Sequence, residues 1–361
     1  MTLDVKATEG APTPSESPEV ESTDPATGTG LLESVGLGSF ELDDGTTLPD
    51  LTVAYRHDGP PPGAAPQALV IHALTASADA AGDWWEPLIG AGRALDTRRI
   101  GVLSANLLGG RYGTTGPTSI DPKTGRPYGA AFPAISTRDQ ARANWRLLDA
   151  LGIEHLELAV GGSLGGMVAL EVALTRPDAV HQVMPIAAPA ATGPMAMAWN
   201  HLQVELIERL GLDGLALARR LAMTTYRSET DFEDRFGRSV EPDGRPSIVS
   251  YLDYQGQKLV DRFDPATYRI LAGAMDRHDI GVAWGGFDGA FRRLAAGGTR
   301  ITAVGIKGDI LYGPRQVKML VESATAAGVD ARYRELDSTK GHDAFLVEWD
   351  QLSAILREAL D

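Results

Sequence analysis

The sequence predicts an α/β protein with a mostly parallel central sheet and helices on both faces. Short apolar runs typical of buried strands recur along the chain, and helical or long crossover segments separate them. A glycine-rich turn at residues 161–166 joins one such run to a helix. The predicted strands of this sheet are residues 68–74, 100–105, 156–160, 183–187, 301–306 and 331–336.

The chain before the first of these strands contains two different regions. Residues 1–34 are acidic, rich in Pro, Ser and Thr, and poor in large apolar groups, which predicts a disordered N-terminal tail. Residues 40–48 predict a hairpin that turns at Asp44 and Gly45, and residues 51–55 predict a further strand.

Helical patterns fill the segments between the strands. Residues 137–151 carry an apolar stripe that includes Trp145, and Gly152 ends this helix just before the strand at 156–160. Residues 191–290 show helix patterns and no strand pattern. We therefore predict a helical cap at 191–290, inserted into a core formed by residues 35–190 and 291–361.

Composition limits the possible functions. The chain has 361 residues, a formal net charge of −15 and no cysteine. The negative charge disfavours nucleic acids and anionic membranes, and the lack of cysteine excludes a thiolate nucleophile. No apolar run approaches a membrane span and the N-terminus lacks a signal-peptide pattern, so we expect a cytoplasmic protein with no membrane partner.

Ser163 is the candidate nucleophile. It lies in the Gly-Gly-Ser-Leu-Gly-Gly run between the strand at 156–160 and the helix that begins near Met167. A serine on such a strand-to-helix turn has a strained backbone, and neighbours without Cβ atoms let the chain turn tightly. The motif alone is weak in a chain with 41 glycines, so the flanking strand and helix carry the interpretation.

A nucleophilic serine needs a base and an acid to orient the base, and these follow it in that fold type as acid, then histidine. Asp309 follows the strand at 301–306, and His342 follows the strand at 331–336. Among the other histidines, His57 and His278 fall in segments that read as polar turns. His72 precedes the serine in the chain and is interpreted as a packed histidine near the site.

Two backbone amides are the candidate oxyanion hole. One belongs to Leu164, which directly follows the nucleophile, and the other to Leu74, which lies in the loop after an earlier strand. With the three side chains above, they allow acyl transfer or hydrolysis through an acyl-serine.

Several separated motifs resemble the homoserine O-acetyltransferase family of methionine biosynthesis, whose members have the α/β-hydrolase fold. The resemblance extends from about residue 35 to the end of the chain. The motifs are His-Ala-Leu-Thr at 72–75, Trp-Trp at 84–85, residues 106–110, 112–117, 119–122, 124–129 and 132–133, the serine turn at 161–167, Thr-Tyr-Arg at 225–227, residues 250–256 and Gly-His-Asp-Ala-Phe-Leu at 341–346.

The resemblance implies roles for further residues. It makes Ser163, Asp309 and His342 a catalytic triad, and it implies acetyl-CoA as donor and L-homoserine as acceptor in a ping-pong reaction. Arg219 would bind the acceptor's carboxylate, Tyr226 would add a hydrogen bond and Asp343 would pair with its ammonium. No metal or further cofactor is expected, and the resemblance implies a homodimer formed through the cap.

The chain departs from the family pattern in three places, and these leave alternatives open. The segment from about 203 to 214 is short, Ala76 stands where glycine is common, and Arg111 stands where a small residue is common. Succinyl-CoA as donor, serine as acceptor, or simple carboxylester hydrolysis therefore remain alternatives. The intact triad disfavours a non-catalytic relative.

Overall fold

A computed structural model describes residues 32–360. Its centre is an eight-stranded sheet with the strand order β1-β4-β6-β5-β9-β10-β11-β12. Two short hairpins, β2 with β3 and β7 with β8, lie outside it. The strands are β1 (Leu32–Gly36), β2 (Phe40–Glu41), β3 (Thr47–Leu48), β4 (Thr52–Asp58), β5 (Gln67–Ile71), β6 (Gly101–Ala105), β7 (Ile120–Asp121), β8 (Arg126–Pro127), β9 (Leu156–Gly162), β10 (Val180–Ile186), β11 (Arg300–Ile306) and β12 (Ala331–Leu336).

The sheet is antiparallel at one edge and parallel elsewhere. β4 pairs antiparallel with β1 and β6, whereas every pair from β6 to β12 is parallel. Strand β9 is paired between β5 and β10, so residue 163 follows a strand in the middle of the sheet. The carboxyl ends of β5, β9, β11 and β12 therefore meet at one edge, where ligands bind in open α/β sheets.

Ten α-helices within residues 32–360 accompany the sheet. They are α1 (Thr137–Ala150), α2 (Leu164–Thr175), α3 (Pro194–Leu210), α4 (Leu212–Tyr226), α5 (Glu229–Arg235), α6 (Ser247–Val260), α7 (Pro265–Asp276), α8 (Phe287–Gly297), α9 (Pro314–Ala326) and α10 (Trp349–Leu360).

The apolar core lies on both faces of the sheet. Along β5, Leu69 and Ile71 pack with the cluster that contains side chains of α1, α2, α8 and α9. Ala68 and Val70 pack with the opposite cluster, which contains side chains of α10 and the segment around Trp85. This alternation is the pattern of a sheet covered on both sides, and it confirms the predicted fold class.

The domain boundaries differ in detail from the predicted ones. Residues 1–31 of the predicted tail lie outside the described residues, and residues 32–34 belong to β1. Helices α3 to α7 form the cap, but the predicted cap boundary at residue 290 falls inside α8. Because α8 packs against α9 and α2, it belongs to the core. The strand predicted for residues 68–74 ends at Ile71, which leaves 72–75 as a loop at the sheet edge.

Candidate active site

Ser163 occupies the turn between β9 and α2. Its φ of 55° and ψ of −124° are rarely adopted by a residue with a side chain. Such a conformation costs about 1–3 kcal/mol and persists where the surrounding structure enforces it. One restraint is the Ser163 amide, which donates a hydrogen bond of 2.8 Å to the carbonyl of Ile186 at the end of β10.

The neighbouring glycines let this turn approach β5. A Cβ atom at Gly161 would lie 2.6 Å from the carbonyl oxygen of Ile71, and one at Gly165 would lie 2.1 Å from the same oxygen. Both distances are shorter than a Cβ contact allows. The glycines predicted to be necessary for the turn therefore have a steric role in the close packing of β9, α2 and β5.

Asp309 is held by the turn that follows β11. Its Oδ1 accepts hydrogen bonds from the amides of Leu311 and Tyr312, at 2.8 and 3.1 Å. Its Oδ2 lies 2.7 Å from Nδ1 of His342. With one oxygen fixed by the backbone, the other is directed at the imidazole, so the acid and base predicted from the sequence are paired.

His342 lies in a 3₁₀ helix, Gly341–Leu346, after β12. The rings of Tyr226, Tyr312 and Phe345 surround the imidazole, with centroid distances of 5.8, 5.6 and 5.7 Å. Its Nε2 is buried and has no hydrogen-bond partner among residues 32–360. Nε2 is thus free to exchange a proton with Ser163 or a bound ligand.

The charges around His342 favour its protonated form. Burial lowers the pKa of the imidazole, but the charge and hydrogen bond of Asp309, together with the charge of Asp343, outweigh burial and raise the pKa above its usual value. An imidazole with a raised pKa is a stronger base toward a hydroxyl group.

A cavity of about 210 Å³ lies between the sheet edge and the cap. Six of the residues predicted as functional line it: Leu74, Ser163, Arg219, Tyr226, His342 and Asp343. Asp309 lies behind His342, and Leu164 lies at the first position of α2 with its side chain buried. The structure therefore gathers the predicted residues around one cavity.

The two candidate oxyanion amides flank Ser163. The N–H of Leu164 is in the first turn of α2, where no intrahelical acceptor exists. The N–H of Leu74 donates to no acceptor in the part of the chain that the structure describes. Both amides are available to a ligand oxygen, which is the condition for an oxyanion hole.

His72 orders the loop that carries Leu74. Its Nδ1 lies 2.7 Å from the carbonyl of Ala73, and its Nε2 accepts a hydrogen bond of 3.1 Å from the amide of Leu107. Burial lowers the pKa of His72 to about 4. A neutral imidazole with both nitrogens occupied is a packed histidine, as the sequence analysis interpreted it.

The cap contributes the charged side of the cavity. Arg219 on α4 places its guanidinium over the ring of Tyr226, 5.5 Å from the centroid. Asp343 forms an ion pair with Arg227, whose Nε lies 3.2 Å from Asp343 Oδ2. The cavity thus combines a cation, a phenol and a carboxylate beside the serine and histidine.

Comparison with known proteins places the chain in a family. The α/β hydrolase fold family matches residues 69–273. The homoserine O-acetyltransferase of Moorella thermoacetica is 43% identical over an alignment of 351 residues, and the match covers 89% of this chain and 93% of that protein. The chain belongs to the homoserine O-acetyltransferase family.

Solved structures agree on the fold. The homoserine O-acetyltransferase of Bacillus anthracis has a TM-score of 0.85 at 23% identity, covering 91% of this chain and 97% of that one. Esterase E22 has a TM-score of 0.84 at 22% identity, covering 91% of this chain and 99% of that one. Because a transferase and an esterase share this fold equally well, the fold alone does not select the acyl acceptor.

Three charged residues of the cavity were missed by the sequence analysis. They are Asp83, Lys258 and Arg262. Burial, with a contribution from the charge of Asp79, raises the pKa of Asp83 to about 6. Asp83 precedes the Trp-Trp motif of the family, and Lys258 follows the motif at 250–256. Their positions beside these motifs were the sequence signal that could have identified Asp83 and Lys258 as residues of the cavity.

The three departures from the family pattern occupy different places. Ala76 lines the cavity, whereas the guanidinium of Arg111 lies 5.9 Å from the ring of Tyr112. In the shortened part of the cap, Gly211 alone joins α3 to α4, with a φ of 61°. Of the three positions that differ from the family pattern, Ala76 is therefore the one that lines the cavity directly.

Two other histidines differ from their interpretation as residues of polar turns. His57 belongs to β4 and contacts Gln67 Oε1 at 2.9 Å. His278 is buried, with Nδ1 2.9 Å from the hydroxyl of Thr137 and Nε2 3.1 Å from the carbonyl of Pro189. Those partners are distant in the sequence, so the local pattern gave no sign of them.

Two kinds of feature are absent from residues 32–360. Between residues 32 and 360, no three His, Asp or Glu side chains are placed to hold a metal ion together. Over the same range, none of the helices is long and apolar enough to cross a membrane.

Proposed function

We propose that this enzyme transfers an acetyl group from acetyl-CoA to the hydroxyl of L-homoserine through an acetyl-Ser163 intermediate, as a step of methionine biosynthesis. The observation that carries the proposal is the cavity itself. It brings Ser163 and His342 together with Arg219 and Asp343, so the nucleophile and base lie beside a cation and a carboxylate in a cavity that Asp83, Lys258 and Arg262 also line. A zwitterionic amino acid has the complementary pair of charges.

The first half-reaction acylates the serine. His342 Nε2 takes the proton from Ser163 Oγ while the oxygen attacks the thioester carbonyl. The amides of Leu74 and Leu164 would stabilise the oxyanion of the tetrahedral intermediate. When the C–S bond breaks, His342 returns the proton to sulfur, and CoA leaves as the thiol.

The second half-reaction transfers the acyl group to the acceptor. His342 removes the proton of the homoserine hydroxyl, the oxygen attacks the acetyl ester of Ser163, and the C–O bond to serine breaks as Oγ regains a proton. Asp309 stabilises the imidazolium in both halves because its Oδ2 lies 2.7 Å from Nδ1. The products are O-acetylhomoserine and the free enzyme.

The residues proposed to bind the acceptor give the amino acid an advantage over water. Arg219 would bind the acceptor's carboxylate, Tyr226 would hydrogen-bond to it, and Asp343 would pair with its ammonium. A hydroxyl held in this way reaches an effective molarity of roughly 10⁵ M or more, far above that of liquid water. Transfer then exceeds hydrolysis without any chemical difference at the serine.

Association of two copies through the cap is part of the same proposal. Five apolar side chains of α3 and α4 are exposed: Met195, Met197, Leu202, Leu210 and Leu212. Their burial in a homodimer would remove apolar surface from water. Light scattering of the parent and of Leu202→Glu tests this: we expect a dimer that the substitution weakens, and a monomeric parent would contradict it.

One assay tests the reaction. Purified enzyme is incubated with acetyl-CoA, with and without L-homoserine, and thiol release and ester product are measured. We expect homoserine to accelerate thiol release and to become acetylated, and Ser163→Ala to abolish both. Thiol release that homoserine does not change, with acetate as the only product, would establish hydrolysis instead. Parallel reactions with succinyl-CoA and L-serine determine donor and acceptor.

A further inference from the structure

Asp231 is a buried carboxylate that the proposed reaction does not use. It lies on α5 of the cap and its side chain has no exposed surface. Its Oδ1 lies 2.8 Å from Lys340 Nζ, and its Oδ2 lies 3.6 and 3.8 Å from the guanidinium groups of Arg227 and Arg235. A buried charge is costly unless oppositely charged groups surround it, and here three cations do so.

Two of these cations connect Asp231 to the catalytic loop. Lys340 stands two residues before His342. Arg227 reaches the other way, with its Nε 3.2 Å from Asp343 Oδ2, and Asp343 directly follows His342. Arg227 therefore lies between two carboxylates, one in the cap and one in the cavity.

The backbone around Asp231 joins the same two regions. Ser228 accepts a hydrogen bond of 3.0 Å from the amide of Asp231, which caps α5. The hydroxyl of Ser228 in turn donates to the carbonyl of Thr339, just before Lys340. The start of α5 is thus fixed against the loop that carries His342.

We infer that Asp231 is a positioning residue for acceptor binding: it shares the charge of Arg227 and anchors Lys340, so that Asp343 keeps the capacity to bind an ammonium group. This inference rests on the proposed role of Asp343 in binding the amino acid. Without Asp231, Arg227 has Asp343 as its remaining carboxylate partner. Arg227 then competes with the substrate's ammonium, and the nearby cations repel it.

The inference predicts a second effect at the imidazole. The titratable groups that face His342 are Asp309, Asp343, Tyr226 and Tyr312. Loss of the negative charge at residue 231 leaves Arg227, Arg235 and Lys340 less compensated, which disfavours an imidazolium. A residue that only stabilised the fold would not shift the pH dependence of the folded enzyme.

The first variant is Asp231→Asn, with Asp234→Asn as matched control because Asp234 is an exposed aspartate on the same helix. We expect the KM for homoserine to rise about tenfold, the size of effect that one charge-assisted contact produces, with a much smaller change in kcat. The burst of p-nitrophenol from p-nitrophenyl acetate, which needs no acceptor, should keep its amplitude. Its pH profile should shift to lower pH, while Asp234→Asn should match the parent.

A second variant keeps the test decisive if Asp231→Asn does not fold. Lys340→Met removes a partly exposed cation and leaves Asp231 to pair with Arg227. We expect its pH profile for ester cleavage to shift to higher pH, and Asp231→Glu to retain most of the parent's affinity for homoserine. The inference would be overturned if Asp231→Asn folded and kept the parent's KM for homoserine and the parent's pH profile. It would also be overturned if the pH profile of Lys340→Met stayed in place or shifted to lower pH.

The outcome is separable from that of the proposed function. If the parent shows no homoserine-dependent thiol release, the proposed function fails on the parent alone. The pH profiles of ester cleavage still report whether Asp231 acts on the catalytic loop. If the parent transfers acetyl to homoserine, but the variants keep the parent's pH profiles and KM, the inference about Asp231 fails by itself.

Discussion

The two sides of the cavity are built in different ways. On the sheet side, Asp309 accepts two backbone hydrogen bonds, one of them 2.8 Å long, and binds His342 at 2.7 Å. On the cap side, side chains contact one another, with Arg227 3.2 Å from Asp343 and Arg219 5.5 Å from the ring centroid of Tyr226. The carboxylate of Asp309 is thus held by backbone amides, whereas the charged groups beside the cap are held by other side chains.

Under the proposed function, this difference separates the chemistry from the choice of acceptor. Changes on the sheet side should affect every reaction of Ser163, including simple ester cleavage. Changes on the cap side should affect the reaction with an amino acid and leave acylation largely intact. Variants that break one side at a time therefore test the division.

The largest effect is expected from Asp309→Asn on the sheet side. The equivalent loss in a serine triad lowers kcat about 10⁴-fold because the imidazole adopts the wrong tautomer. Burial then dominates the pKa of His342, which falls from above its usual value to below it. Because the neutral imidazole would act as the base, the acidic limb of the pH profile of the residual activity should move to lower pH.

The control for this variant is Asp350→Asn, which changes an exposed carboxylate at the start of α10. Rates of thiol release and of ester cleavage, measured across pH, provide the readout. If Asp309→Asn affected transfer to homoserine but not cleavage of a simple ester, Asp309 would belong functionally to the acceptor side.

A smaller and more selective effect is expected from Arg219→Ala on the cap side. Transfer to homoserine should fall about 100-fold, the loss expected for a bidentate charge-assisted contact, while release of acetate to water persists. The ratio of O-acetylhomoserine to acetate measures this effect directly. Arg315→Ala, an exposed arginine on α9, is the control. Equal losses in transfer and hydrolysis would show that Arg219 does not bind the acceptor.

The sheet side was accessible from the sequence because local patterns define it. The strand before Ser163, its glycines and the order of Asp309 and His342 sufficed to select three residues that the structure brings to one edge of the sheet. The cap side was less accessible. Arg227 and Asp231 are paired with Asp343 and Lys340 across more than 100 residues, and no local pattern encodes such a contact. His278 was missed for the same reason.

A third variant, His72→Leu, tests the loop that carries Leu74. It leaves the buried amide of Leu107 without its acceptor, and an unpaired buried donor costs about 1–3 kcal/mol. We expect a lower thermal midpoint and a kcat about tenfold lower for both transfer and ester cleavage, since the oxyanion amide is displaced. Unchanged kcat in folded protein would remove this loop from the oxyanion hole.

The smallest effect is expected from Glu171→Gln, inside α2. Burial raises the pKa of Glu171 to about 8. Because the folded pKa exceeds the unfolded one, the protonated form contributes stability that is fully present below about pH 4.5 and is lost as pH rises through about 8. The variant should therefore be more stable than the parent at pH 9, by about 1 kcal/mol or more, with little difference at pH 4. Urea unfolding at both pH values measures this, and a parent whose stability did not fall with pH would contradict it.

Gly341 places the cap in direct backbone contact with the catalytic loop. Its φ is 69°, and a Cβ atom there would lie 2.7 Å from the amide nitrogen of Ser228 and 2.9 Å from the carbonyl of Tyr226. At this corner no side chain separates the cap from the residue before His342. A hinge that lifted the α4–α5 corner away would disturb the loop that carries His342, so this part of the cap acts as a fixed wall. The joint at Gly211, with nothing within 4 Å of such a Cβ, has no comparable contact.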